Sequence, residues 1–277
     1  MSLNQVEFLI EGNLLPPTMG QLNVSEKFVL EQVWRTGRES KLPHEPANYA
    51  MAYVGVVAQK EENAFDIAGE YLDFFLLIYS LVSGQSLTVI TGIGTPLDSI
   101  NSLGAKRISF PSFEKIHVMG EHKESFLNKT ILETKRRFVQ LLPDRQKIMK
   151  SPLGLALLYY YFAVRASRRR LEDAVIHLMI AGEALLCTNT NKIQRQLSGR
   201  LSTLIAENGK EKDEISKEMR RLYGLRSGIV HGDAKKPLLS DVRTLFSYIK
   251  KTIECCLSLR HLSKKEMVTS LDEPDVG

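Results

Sequence analysis

Residues 222–232 read LYGLRSGIVHG, and the setting of this stretch decides how the second half of the chain is read. From about Asp213, the apolar residues Ile215, Met219, Leu222 and Leu225 recur at three- and four-residue intervals, the spacing of one face of an α-helix. The pattern runs into Arg226-Ser227 and stops at His231-Gly232, where a glycine suits a helix C-cap.

Helical signals continue on both sides of it. Ser151-Pro152 is a good N-cap and first-turn pair for a helix to about residue 166. A second helix is expected over residues 171–187, with Val175, Leu178, Met179, Gly182 and Leu186 on one stripe, and a third over 193–207. The stretch ending at Gly232 closes the fourth, and Ser240 is read as the N-cap of a fifth that runs to about residue 262. An earlier helical run over residues 131–142 stops at Pro143.

Toward the N-terminus the pattern is mixed. Residues 6–15, 49–57, 87–90 and 107–110 read as strands, being alternating or rich in β-branched and aromatic residues. Asn23 and Ser25 read as caps of a short helix through Trp34, and Asn63 precedes a helical pattern to Leu81. The expected fold class is an α+β N-terminal domain over residues 1–127 followed by an all-α helical bundle over residues 128–265. The acidic end, 266–277, is read as a disordered tail.

A chain of 277 residues with 43% hydrophobic and 25% charged side chains suits an ordinary globular protein of two domains. The most apolar run, residues 71–82, is interrupted by Asp73 and is too short to span a bilayer, and MSLNQVEFLIEG has no basic leader. The three cysteines, Cys187, Cys255 and Cys256, lack metal-ligand spacing and lie in apolar helical stretches; core thiols in a reducing cytoplasm are expected. From Gln146 onward there are 23 Lys+Arg against 15 Asp+Glu, or +8, leaving 14 against 17, or −3, before it; the two give the net +5. A basic second half is compatible with a polyanionic partner.

Three segments in order resemble the Apea-like branch of the HEPN families. LYGLRSGIVHG is similar to the aromatic-x-x-Arg-Ser-x-x-Val-His-Gly string that closes the long fourth helix of that branch. SPLGLALLYYYFAVRASRRRLEDAVIHLMIAGEALL, residues 151–186, resembles its first two helices; Leu171-Glu172-Asp173 opens the second and Ala181-Gly182-Glu183-Ala184-Leu185 ends it. QLSGRLSTLIAE resembles the next helix, with Arg200-Leu201 in its usual place. The likeness covers roughly residues 151–262 and implies that the bundle is of HEPN type.

The resemblance implies a metal-independent RNA endonuclease, or an RNA-binding relative, acting without a cofactor. It also implies a homodimer and a setting in prokaryotic stress response or defence. HEPN ribonucleases carry an Arg and a His with four to six residues between them. Arg38–His44, Arg170–His177 and Arg226–His231 all satisfy that bare spacing, and only the last has the surrounding string. The implied catalytic residues are Arg226, His231 and Glu183, and the implied binding residues are Ser227, Tyr223 and Arg200. In the best-known nuclease form an Asn, Asp or His follows the Arg; here Ser227 does.

The residue types suit the chemistry. When a ribose 2′-hydroxyl attacks the adjacent phosphate, one proton must leave that oxygen and another must reach the departing 5′-oxygen; an imidazole can serve either step near neutral pH. A guanidinium can hold the phosphate and offset the charge of the pentacoordinate transition state. On a regular helix, residues five apart are rotated by about 140°, so Arg226 and His231 converge only if Gly228 bends the helix or two copies meet in one cleft. A structural reading stands beside this one: Arg226 and His231 can serve the helix C-terminus, leaving a non-catalytic module that dimerises and binds a protein or nucleotide partner.

Other signals read as structure. Thr91-Gly92-Ile93-Gly94-Thr95-Pro96 lacks a phosphate-loop lysine and is taken as a turn after a strand. The aromatic run 159–162 is assigned to bundle and dimer packing, Arg168-Arg169-Arg170 to a solvated turn, His177 to a hydrogen-bonded core position, and Trp34 to core.

Overall fold

The computed structural model describes residues 2–11, 21–25, 28–33, 49–58, 61–85, 88–96, 106–109, 124–232 and 236–272. The chain divides into two compact units, Met1–Pro143 and Asp144–Gly277.

In the first unit the backbone forms six strands: β1 (Ser2–Glu11), β2 (Gln21–Ser25), β3 (Phe28–Val33), β4 (Tyr49–Ala58), β5 (Thr88–Pro96) and β6 (Lys106–Ser109). They are ordered β2-β3-β4-β1-β5-β6, with every described pairing antiparallel. Helix α1 (Glu61–Ser83) lies against β4, β1 and β5, and α2 (Glu124–Leu141) against α1 and β2. From Phe74 to Leu81 every residue of α1 is buried, as in a helix enclosed on all sides. The rings of Phe74 and Phe75 meet Phe138 of α2 at centroid distances of 5.8 and 5.6 Å.

Where side chains are described, the α+β class expected of the first domain is corrected to helix alone. Over the residues whose side chains are described, 66–85, 129–232 and 236–272, regular structure is helix alone, with no strand or sheet among them. The described core of this unit is a helical one, in which α1 and α2 bury their aromatic faces on each other. The helix expected behind Asn23 and Ser25 is also absent, because residues 21–25 and 28–33 are paired strands with Val24, Phe28, Val29 and Val33 among them. The glycine-containing run 91–96 lies inside β5, so it is not a turn. Trp34, Arg38 and His44 lie outside the described residues.

The second unit comprises α3 (Arg145–Met149), α4 (Pro152–Ala166), α5 (Leu171–Leu186), α6 (Ile193–Ile205), α7 (Gly209–His231), α8 (Leu239–Ser258) and α9 (Lys264–Asp272). It begins at Asp144, beyond the expected boundary at 127/128, because α2 packs with α1. Ser151 caps α4 as its sequence suggests, accepting from the Leu153 N–H at 3.2 Å. Helix α5 is central, in contact with α4, α6, α7 and α8, and its stripe of Val175, Leu178, Met179, Gly182 and Leu186 is buried. Asn208, not a residue near Asp213, caps α7, its side chain accepting from Glu211 N–H at 3.0 Å; Leu238 precedes α8 instead of Ser240.

The expected tail from residue 266 is corrected as far as Asp272. Residues 264–272 form α9, which buries Met267 and Val268. Among the described residues, no helix is long and apolar enough to cross a membrane.

Candidate functional site

Helix α7 explains why a charged residue is drawn inward. Ile215, Met219 and Leu222 form its buried stripe, and the next position at helical spacing is Arg226. Its guanidinium is half-buried and lies over the ring of Tyr223 from the same helix, 5.7 Å from the centroid. Glu183, near the end of the adjoining α5, faces the same place and feels the Arg226 charge. Burial raises the Glu183 carboxyl above its usual range, while Arg226 pulls it back down. Burial also raises the Tyr223 phenol, with the Glu183 charge adding to the effect.

Glu183 and Arg226 are neighbours that feel each other's charge, but no hydrogen bond or ion pair joins them among the described residues. Among the described residues, Glu183 Oε1 and Arg226 Nε are buried and have no hydrogen-bond partner. Each such atom carries a desolvation cost of roughly 1–3 kcal/mol that a ligand supplying a partner would remove.

His231 stands apart from this pair. Helix α7 is unbroken from Gly209 through His231, and Gly232 ends it with φ +81°, a left-handed conformation that a side chain would strain. The helix does not break at Gly228, and at helical spacing His231 is set about 140° around from Arg226. His231 is exposed, as is the preceding Val230. Ser227 is half-buried between them in sequence, and its hydroxyl has no hydrogen-bond partner among the described residues. Arg226, Glu183 and Tyr223 are thus brought together within one chain; His231 is not.

Arg200 is elsewhere and differently engaged. It is 9% exposed and donates through Nε and Nη2 to the Asp272 carboxylate at 2.8 and 2.7 Å. Its Nη1 donates to the Leu186 carbonyl and to Gln196 Oε1. The guanidinium joins the C-terminal end of α5 and α6 to the end of α9. The binding role expected of Arg200 is corrected to a clamp, because a buried arginine with this many partners has little left to offer a ligand.

Other residues fall into structural places. His177 packs beside Tyr159 and Phe162, with centroids 5.9 and 5.8 Å away, but its buried Nδ1 has no hydrogen-bond partner, contrary to the expected bonded histidine. Tyr160 is buried against Phe246 at 5.5 Å. Burial holds the Cys187 thiol up at about 11 and Cys256 at about 12, with neighbouring Glu183 and Cys255 adding to the respective shifts. Among the described residues, no group of three His, Cys, Asp or Glu is placed to hold a metal ion.

The sequence reading passed over Arg221, which bridges Glu218 on its own helix and the buried Asp241 of α8. Asp241 also accepts from the Leu238 N–H at 2.9 Å. Glu218 and Arg221 are recognisable as an (i, i+3) pair, whereas Asp241 is twenty residues away and gives no local signal. Compared with known protein families, characterised proteins and solved structures, the chain finds no match.

Proposed function

We propose that the C-terminal unit is a HEPN-type RNA-binding module that cleaves RNA without a metal, as a homodimer in the cytoplasm of a prokaryote under stress or attack. The observation that carries this reading is the Arg226 guanidinium. It is drawn onto the core stripe of α7 and set over Tyr223 beside Glu183, yet its Nε is left without a protein partner. A phosphate oxygen accepting from that nitrogen would remove the cost of the missing bond.

The chemistry asked of the residues is limited. The 2′-oxygen bonds to phosphorus as its proton passes to one His231; the bond to the 5′-oxygen breaks as that oxygen takes a proton from a second imidazole. The products are a 2′,3′-cyclic phosphate and a 5′-hydroxyl. Arg226 offsets charge on the phosphoryl oxygens, and Glu183 holds the guanidinium in place. Since one chain carries His231 away from Arg226, the reaction needs two copies whose α7 ends meet. Val230, Leu238 and Leu239 are exposed aliphatic residues close to His231 in the chain, and they suit such a contact.

A second reading draws on the unbroken helix itself. If the two side chains never meet, the unit binds a partner without cleaving it. The test is to incubate the full chain, Arg226→Ala and His231→Ala with a mixed RNA pool in the presence of a chelator. Cleavage by the parent that both substitutions abolish supports the nuclease; an intact pool at every protein concentration rejects it and leaves the binding module.

A further inference from the structure

An open groove of about 770 Å³ lies on the second unit, where the start of α6 faces the first half of α7, and the Arg200–Asp272 pair closes one end. It uses Lys212, Ser216 and Arg220 of α7, a different face from the stripe that carries Arg226. Its lining holds five cations, Lys192, Arg195, Arg200, Lys212 and Arg220, against two carboxylates, Asp213 and Asp272. Asp272 and Arg200 are committed to each other, and the remaining Lys192, Arg195, Lys212 and Arg220 against Asp213 leave the accessible groove positive.

The groove is built, not a chance gathering of surface lysines. Gln196 accepts from Thr188 N–H at 3.1 Å and donates to Asn189 Oδ1 at 2.8 Å, which ties the preceding loop to α6. Gln194 Nε2 donates to the Arg220 carbonyl at 3.0 Å, which ties α6 to α7. Lys192 and Arg195 make no ion pair among the described residues, and Arg220 donates only to the neutral hydroxyl of Ser216, at 3.3 Å. The lining offers no aromatic platform on which a base could stack. It offers cations with amide and hydroxyl groups between them, a set that recognises phosphates and ribose hydroxyls without regard to sequence.

We propose that this groove binds the sugar–phosphate backbone of single-stranded RNA, with Lys192, Arg195 and Arg220 each meeting one phosphate. The choice of RNA rests on the function proposed above, but the groove is independent of the Arg226–His231 chemistry. Three phosphate contacts on a single strand give a salt slope of about −2, so affinity falls roughly 20-fold between 50 and 200 mM salt.

The experiment measures fluorescence anisotropy of a labelled 12-residue oligouridylate with the full chain over that salt range. The triple variant Lys192→Glu, Arg195→Glu, Arg220→Glu is compared with the parent. The triple variant is expected to bind at least tenfold more weakly at 50 mM and to lose most of the slope. Equal affinity and slope in parent and triple variant would overturn the proposal, and so would no RNA binding by the parent. Poly-glutamate of equal length binding as tightly as the RNA would reassign the groove to acidic peptides and overturn it too. A parent that binds RNA through these residues but never cleaves it refutes only the nuclease.

Discussion

Replacing Arg200 by Ala separates a binding residue from a structural one. The side chain makes two hydrogen bonds to Asp272 and one each to the Leu186 carbonyl and Gln196. The Asp272 side chain is 52% exposed, so its arm is screened by solvent and contributes at most about 1 kcal/mol. The inner arms are sheltered; losing them costs about 1 kcal/mol each and leaves polar groups at the C-terminal end of α5 without their partner. Together the loss is about 3 kcal/mol, which for a chain of this size lowers Tm by roughly 6–12 °C. Urea unfolding and scanning calorimetry should show this, with Arg200→Lys recovering less than half because an ammonium cannot reproduce the fork. The Arg200 hydrogen bonds hold the Asp272 carboxyl below its usual range, so its share of stability is complete above the ordinary carboxylate pKa near 4 and is lost as pH falls through the lowered value. A variant with parental stability that has lost RNA affinity would refute the clamp and restore the binding role.

Three further outcomes are expected. Gly154→Ala should destabilise the second unit by about 3 kcal/mol in chemical unfolding, since a Cβ there would meet the Ile148 carbonyl oxygen at 2.5 Å and Met149 Cα at 2.7 Å, both backbone atoms. Glu183→Gln should flatten the pH dependence of stability: burial raises the folded carboxyl's pKa, so the parent gains stability as pH falls through that raised value, and the amide cannot. Urea midpoints across pH 4–8 that keep the parental slope would contradict this. The Cys187 and Cys256 thiols, held at about 11 and about 12, should react with a disulfide reagent at pH 8 about a hundredfold more slowly in the folded protein than after unfolding, as stopped-flow absorbance would show.

Much of the second unit is legible in local sequence. The stripes of α5 and α7, the Ser151-Pro152 start and the Gly232 end follow from helical periodicity and capping, which act over a few residues. The domain boundary was less legible, because a helical pattern before Pro143 does not say which unit it will pack against. Nor did the acidic composition beyond residue 266 disclose α9, whose order depends on Met267 and Val268 being buried and on Asp272 meeting an arginine 72 residues earlier.

For the candidate site, the division follows from the distance over which each interaction acts. The amino-acid sequence alone determined that Arg226 follows Leu222 at helical spacing, with Tyr223 three residues before it, and so placed a guanidinium beside an aromatic ring on the inner side of α7. Tertiary structure decided that Glu183 of α5 would face that guanidinium, that Arg200 would be consumed in a clamp, and that α7 would continue without a break and carry His231 out to solvent. Helical periodicity is a property of neighbouring residues. Which charges meet across helices depends on how the whole bundle closes.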